Sequence, residues 1–120
     1  MLDHVSLNVS NAAKAKNFYS KALEPLGYTV VKEYDGGFGI RAEGGSSVWT
    51  QQAKVEEPVH LGFRVNDREQ VDAFYKAAIA AGGKDNGKPG IRDKYAPDYY
   101  AAFVLDPDGN NVEAVCHSPK

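Results

Sequence analysis

Residues 4–27 of this chain recur as residues 60–83, and that repeat limits the possible folds more than any other feature. Sliding the sequence by 56 positions places His4 on His60, Val9 on Val65, Phe18 on Phe74, Tyr19 on Tyr75, Ala22 on Ala78 and Gly27 on Gly83, six identities in 24 ungapped pairs. Two copies are too few for a solenoid. They indicate a duplicated supersecondary unit within one compact domain, which suits a length of 120 residues. The final strands match with a larger shift of 64, Val48-Trp49-Thr50 lying on Val112-Glu113-Ala114, so the second copy carries eight extra residues. The insertion is expected between Gly83 and Tyr99, in a stretch rich in Gly, Pro and charge that reads as a substrate-facing loop with room for a short strand.

Each copy reads as βαβββ, giving modules 1–55 and 56–120. In the first, Val5, Leu7 and Val9 alternate with His4, Ser6 and Asn8, the period of a half-buried strand. Ser10 or Asn11 caps a helix with the stripe Ala15, Phe18, Tyr19, Ala22 and Leu23, which Pro25 and Gly27 end. Tyr28–Tyr34, Gly39–Ala42 and Ser46–Gln51 follow as strands around glycine turns. In the second copy, His60–Val65 is the opening strand. Asp67 and Gln70 form a capping box, and the helix stripe is Val71, Phe74, Tyr75, Ala78 and Ile79. Tyr99–Leu105 and Asn111–Cys116 close the module around the turn Asp106-Pro107-Asp108-Gly109, where Asp108 is expected to cap its own backbone.

One residue in the last strand does not fit. Glu113 stands between Val112 and Ala114, where burial favours an apolar side chain, and a buried carboxylate needs a cation, donors or a metal. His4 and His60 open equivalent strands. If the two modules pair about a pseudo-twofold axis, two imidazoles and one carboxylate can form a facial triad with open coordination positions, which points to catalysis rather than structure. The competing reading is a pair of hydrogen-bonded histidines and a site that no longer holds metal. Fe, Mn, Zn and Ni all suit such a donor set, and spacing does not choose among them.

The segments His4-Val-Ser-Leu-Asn-Val, Phe18-Tyr19, His60-Leu-Gly-Phe-Arg-Val and Leu105-Asp-Pro-Asp-Gly-Asn-Asn-Val-Glu-Ala-Val resemble the vicinal oxygen chelate superfamily. This group includes glyoxalase I, extradiol dioxygenases, fosfomycin-modifying thiol transferases and bleomycin resistance proteins. The resemblance implies an α+β fold of two βαβββ modules forming a curved mixed sheet around a metal or ligand cavity. It implies His4, His60 and Glu113 as ligands of a divalent ion, with Glu113 also the catalytic group, and a homodimer with its site at the subunit junction. A fourth family ligand position falls on Trp49, where glyoxalase I has a glutamate; an indole offers only an N–H donor. The set without it is closer to the dioxygenases and thiol transferases. Phe103 stands where such an enzyme would place a Tyr or another polar group.

Strand parity puts Tyr99, Ala101 and Phe103 on one face, Ser6 on the face of His4, and Ser47 with Trp49. Trp49, Tyr99, Phe103, Ser6 and the loop residues Arg92 and Tyr95 are therefore the candidate substrate contacts, Arg92 as a bidentate clamp for a carboxylate or phosphonate. Core packing is the alternative for Trp49 and Tyr99, and solvation for Arg92 and Lys94. His117 reads as a solvated tail residue and Cys116 as a small core hydrophobe.

The formal net charge of −2 gives no basic footprint for nucleic acid or an anionic membrane, and no apolar run is long enough to span a bilayer. The N-terminus shows no signal peptide and the single cysteine precludes an internal disulfide, so a cytoplasmic setting is expected. Two functions follow from these features. One is a metal-dependent lyase, dioxygenase or transferase acting by Lewis-acid chemistry on a small oxygenated substrate. The other is a sequestering module of the bleomycin-resistance type, without metal chemistry.

Overall fold

A computed structural model describes residues 2–119. The first half is β1 (His4–Val9), α1 (Ala12–Ala22), a 3-10 turn at Glu24–Leu26, β2 (Tyr28–Tyr34), β3 (Gly37–Ala42) and β4 (Ser47–Gln52). The second is β5 (His60–Arg64), α2 (Arg68–Ala80), β6 (Lys84–Ile91), β7 (Tyr100–Leu105) and β8 (Asn111–Cys116). Both halves are βαβββ, as the repeat requires. They form two mixed four-stranded sheets in the orders β1-β4-β3-β2 and β5-β8-β7-β6, with the first strand of each parallel to the last. Among the described residues no ladder joins the two sheets, so they do not close into a barrel.

Local chemistry explains the elements. The Asn11 side chain, not that of Ser10, caps α1 by accepting from the Lys14 amide, and the whole apolar stripe of α1 is buried. Asp67 caps α2 through the Gln70 amide, while the Gln70 side chain reaches the Asn66 amide, one residue short of a reciprocal capping box. Val71, Phe74 and Ala78 are buried, whereas Tyr75 is half-buried and Ile79 is 37% exposed. The buried α2 stripe is therefore narrower than its sequence suggests. Gly27 ends the first helical region at φ +86°, a conformation that favours glycine.

The segment after Gly83, expected as a loop with room for a short strand, is mostly strand. β6 runs along the outer edge of its sheet against β7, with irregular register on both sides of Gly87. Its residues are largely exposed, so it carries none of the apolar alternation that marks a strand, and β7 supplies the hydrogen bonds that hold it. Only residues 92–99 remain as a connecting loop.

Both helices pack on one side of the sheets and against each other, and a single apolar core runs from Leu7 through Phe18, Ile40, Phe63, Phe74 and Val104 to Cys116. The two halves are also fastened by polar groups. Asp106 is 5% exposed and accepts from the Tyr19 hydroxyl at 2.5 Å, the Asn110 amide side chain at 2.9 Å, and the backbone amides of Asp108 and Asn110. Asp108 does not cap its own backbone; it accepts from the backbone and hydroxyl of Ser10, at the start of α1. Burial and the adjacent Asp106 carboxylate push the Tyr19 phenol well above its ordinary pKa, keeping it a donor. No helix of the described residues is long and apolar enough to cross a membrane.

Candidate functional site

The sheet faces turned away from the helices carry the candidate chemistry. On the second sheet, period-two alternation sends Val112, Ala114 and Cys116 into the core and leaves Glu113 and Val115 on the other face. There Ala101, Phe103 and Val115 form a small separate apolar cluster with Tyr99 packed on it. Glu113 is 3% exposed and uses both carboxylate oxygens. Oε1 lies 2.7 Å from Nε2 of His60, and Oε2 accepts from the Tyr99 hydroxyl. The carboxylate that looked out of place in the strand is thus buried and partnered, as its surroundings require.

The hydroxyl expected at position 103 comes instead from Tyr99, four residues earlier. Phe103 sits directly across the ladder from Glu113, and its ring centre lies 6.1 Å from that of His60. Burial first, and then its hydrogen bond to Glu113, push the Tyr99 phenol up to about 12, so it stays protonated near neutral pH. Tyr95 and His117 each meet the Tyr99 ring edge-on, so His117, though exposed, is a neighbour of the site. Tyr95 itself is 57% exposed.

His4 is not beside this pair. It is exposed, and its Nδ1 pairs with the Asp3 carboxylate at 2.8 Å. Ser6 is exposed on the same face of β1 and borders a separate hollow with Asn8 and Asn110. Trp49 holds the place that Glu113 holds in the second half. Its ring lies over Gly39, its N–H donates to the Ser47 hydroxyl at 3.0 Å, and it stacks on Tyr34. A groove of about 1040 Å³ separates β1 from β5, with Asp3 and Val5 on one wall and His60, Gly62 and Arg64 on the other.

His60 and Glu113 suit a divalent ion in donor type, imidazole nitrogen and carboxylate oxygen. Their 2.7 Å separation is that of a direct hydrogen bond, and the two donors would have to part to roughly 3 Å or more to share one ion bonded at about 2.0–2.2 Å. Among the described residues no three His, Cys, Asp or Glu side chains are grouped so as to hold a metal.

Two βαβββ units with a buried acid on the helix-free face of the second define a duplicated-module α+β protein. A family model, that of the glyoxalase/bleomycin resistance protein/dioxygenase superfamily, matches residues 1–114, and the chain belongs to that superfamily. A crystal structure of a glyoxalase/bleomycin resistance protein from Albidiferax ferrireducens is 31% identical, with a TM-score of 0.80 over 97% of this chain and 98% of that one. A glyoxalase/bleomycin resistance protein/dioxygenase family enzyme from Burkholderia phytofirmans shares the fold at 19% identity and a TM-score of 0.78, with the same coverage of both chains. A glyoxalase-related enzyme from Fulvimarina pelagi shares it at 17% identity and a TM-score of 0.76, covering 99% of this chain and 88% of the other. No curated protein matches the chain.

Proposed function

We propose that this chain is a divalent-metal-dependent enzyme of the superfamily, acting on a small oxygenated substrate in a lyase, dioxygenase or transferase reaction. The observation that carries this reading is the buried Glu113, with one oxygen turned to His60 and the other to Tyr99. His60 and Glu113 would hold the ion, and His4 of a second copy would complete the set in a homodimer. His4 of the same chain stands with Asp3, while the groove beside His60 is open to a second molecule. When bound, the ion would polarise a substrate oxygen as a Lewis acid. Tyr99 orients the Glu113 carboxylate through its hydroxyl. Phe103 and Tyr99 give the site an apolar wall on one side. Ser6 and Trp49 would approach the substrate from the second copy along with His4. The buried, unpaired thiol of Cys116 suits a reducing cytoplasmic compartment.

A second reading, binding without metal chemistry, draws support from the first half. There the equivalent position is Trp49 stacked on Tyr34, with no acid in place of Glu113. Thermal unfolding with added Mn, Zn, Ni or Fe(II) separates the two readings. A raised melting temperature that is lost in Glu113→Gln and in His4→Ala supports the enzyme. Indifference of the wild-type chain to all four ions overturns the metal reading and leaves the binding module. Light scattering tests the shared site, and a monomeric mass overturns it.

A further inference from the structure

Beside the His60–Glu113 pair, β6 and the following loop hold a guanidinium in a fixed seat. Arg92 lies with its Cζ 5.4 Å from the centre of the Phe103 ring, and one of its terminal nitrogens donates to the Lys88 carbonyl at 2.6 Å. The seat exists because two residues lack side chains. A Cβ on Gly87 would come within 2.8 Å of the Phe103 ring and 3.1 Å of one Arg92 nitrogen; a Cβ on Gly90 would come within 3.1 Å of the other. Gly87 also has φ +155°, where the edge strand bulges. The Gly-Lys-Pro-Gly stretch thus forms a notch into which the guanidinium fits over the ring.

The hollow in front of that seat, about 220 Å³, is lined by Asn86, Arg92, Lys94, Tyr95, Phe103 and Asn111, with Gly87 at its back. Among the described residues no carboxylate lines it. Asp85 accepts from the Gly87 amide and Asp98 faces Arg68, while Asp93, between Arg92 and Lys94 in sequence, is exposed and is not part of the lining. Two cations, two amides and aromatic walls without an acid favour an anion. With one terminal nitrogen committed to Lys88, Arg92 still offers its other terminal N–H groups and Nε, a planar fork matched to an oxyanion.

We propose that this notch is an oxyanion subsite that holds the carboxylate or phosphoryl end of the substrate. The oxygenated reacting end would then lie one ring-width away, past Phe103, at His60 and Glu113. This rests on the reading of His60 and Glu113 as the reacting end, and it narrows the substrate to a compact anion with a flat or apolar middle.

Calorimetric titration of the full-length protein with benzoate, phenyl phosphate and the neutral benzyl alcohol tests it. Saturable binding of benzoate, of phenyl phosphate or of both is expected, and which of them binds tells carboxylate from phosphoryl recognition. Arg92→Gln should weaken that binding about ten- to a hundredfold, the loss expected for a charge-assisted hydrogen bond. Gly90→Ala keeps every charge but displaces the guanidinium, and should weaken binding several-fold. Metal-induced stabilisation should be the same in Arg92→Gln as in wild type.

Failure of both anions to bind, equal binding of benzyl alcohol, or indifference to Arg92→Gln overturns the subsite. Loss of metal stabilisation in Arg92→Gln overturns it too, because the seat would then not be separate from the metal ligands. Absence of metal stabilisation in the wild-type chain defeats the functional reading alone, and the anion titrations still decide the subsite.

Discussion

The two halves of the molecule share one architecture and divide large and small side chains in opposite ways at the same place. In the first half the last strand carries Trp49 and its ladder neighbour is Gly39; in the second the last strand carries Glu113 and its neighbour is Phe103. The indole needs the bare backbone beneath it, since a Cβ on Gly39 would lie 2.2 Å from its ring. The carboxylate instead has an aromatic wall beside it and two polar partners. One duplicated scaffold thus presents an aromatic platform on one sheet and a buried acid on the other. The scaffold fixes where a side chain stands, and its ladder neighbour fixes what can stand there.

The largest contrast is in the turns before the last strands. Both close with the same backbone bond, Gly45 to Ala42 and Gly109 to Asp106, but only the second carries a buried acid. Asp106→Ala would strand the Tyr19 hydroxyl and three other donors, and chemical denaturation should show a loss of about 3 kcal/mol. Glu43→Ala in the first turn, on an exposed side chain, should stay within about 0.5 kcal/mol. Equal effects would break the contrast between the turns.

Next in size, Gly39→Val should cost about 1–3 kcal/mol by displacing the indole, and the Trp49 fluorescence should shift as the ring becomes solvated. An unmoved spectrum would mean that the platform does not depend on its glycine. Smaller again, Trp49→Phe removes the bond to Ser47 and should cost about 1 kcal/mol in the same denaturation assay.

The subtlest test is in the second half. The folded Tyr99 phenol, at about 12, lies above its unfolded value of roughly 10. Its contribution to stability is therefore complete below pH 10 and disappears as the pH rises towards 12. In Glu113→Gln the phenol should ionise at lower pH, although burial still holds it above the ordinary value. The chain has seven tyrosines, so phenolate absorbance reads this as a difference from a Tyr99→Phe reference, and an unchanged difference titration would sever Tyr99 from Glu113.

Much of this was legible in the residues. The α1 stripe, the equivalence of the halves, the burial of Glu113 and the shared face of Tyr99 and Phe103 all follow from periods of 3.6 and 2 acting on apolar side chains. What escaped prediction lacked such a period. β6 is an exposed edge strand full of Gly, Pro and Lys, so its existence is decided by its partner β7. Asp106 reads as an ordinary turn residue until Tyr19, far away in sequence, is folded over it. The bond from Tyr99 to Glu113 depends on where the strand β7 begins, which parity alone does not give. His4 carries the same sequence signal as His60, yet only His60 has an acid on the strand beside it within the chain.

The clasp made by Ser10 with Asp108 and by Tyr19 with Asp106 spans nearly the whole chain, with separations of 98 and 87 residues. A ribosome releases the opening helix long before it makes the hairpin that locks it. The early ladders can form as they emerge, but the lock must wait until synthesis is almost complete. Contacts so distant along the chain slow the search for the native state, and any product truncated before residue 106 leaves that helix with no acid to receive the Tyr19 hydroxyl.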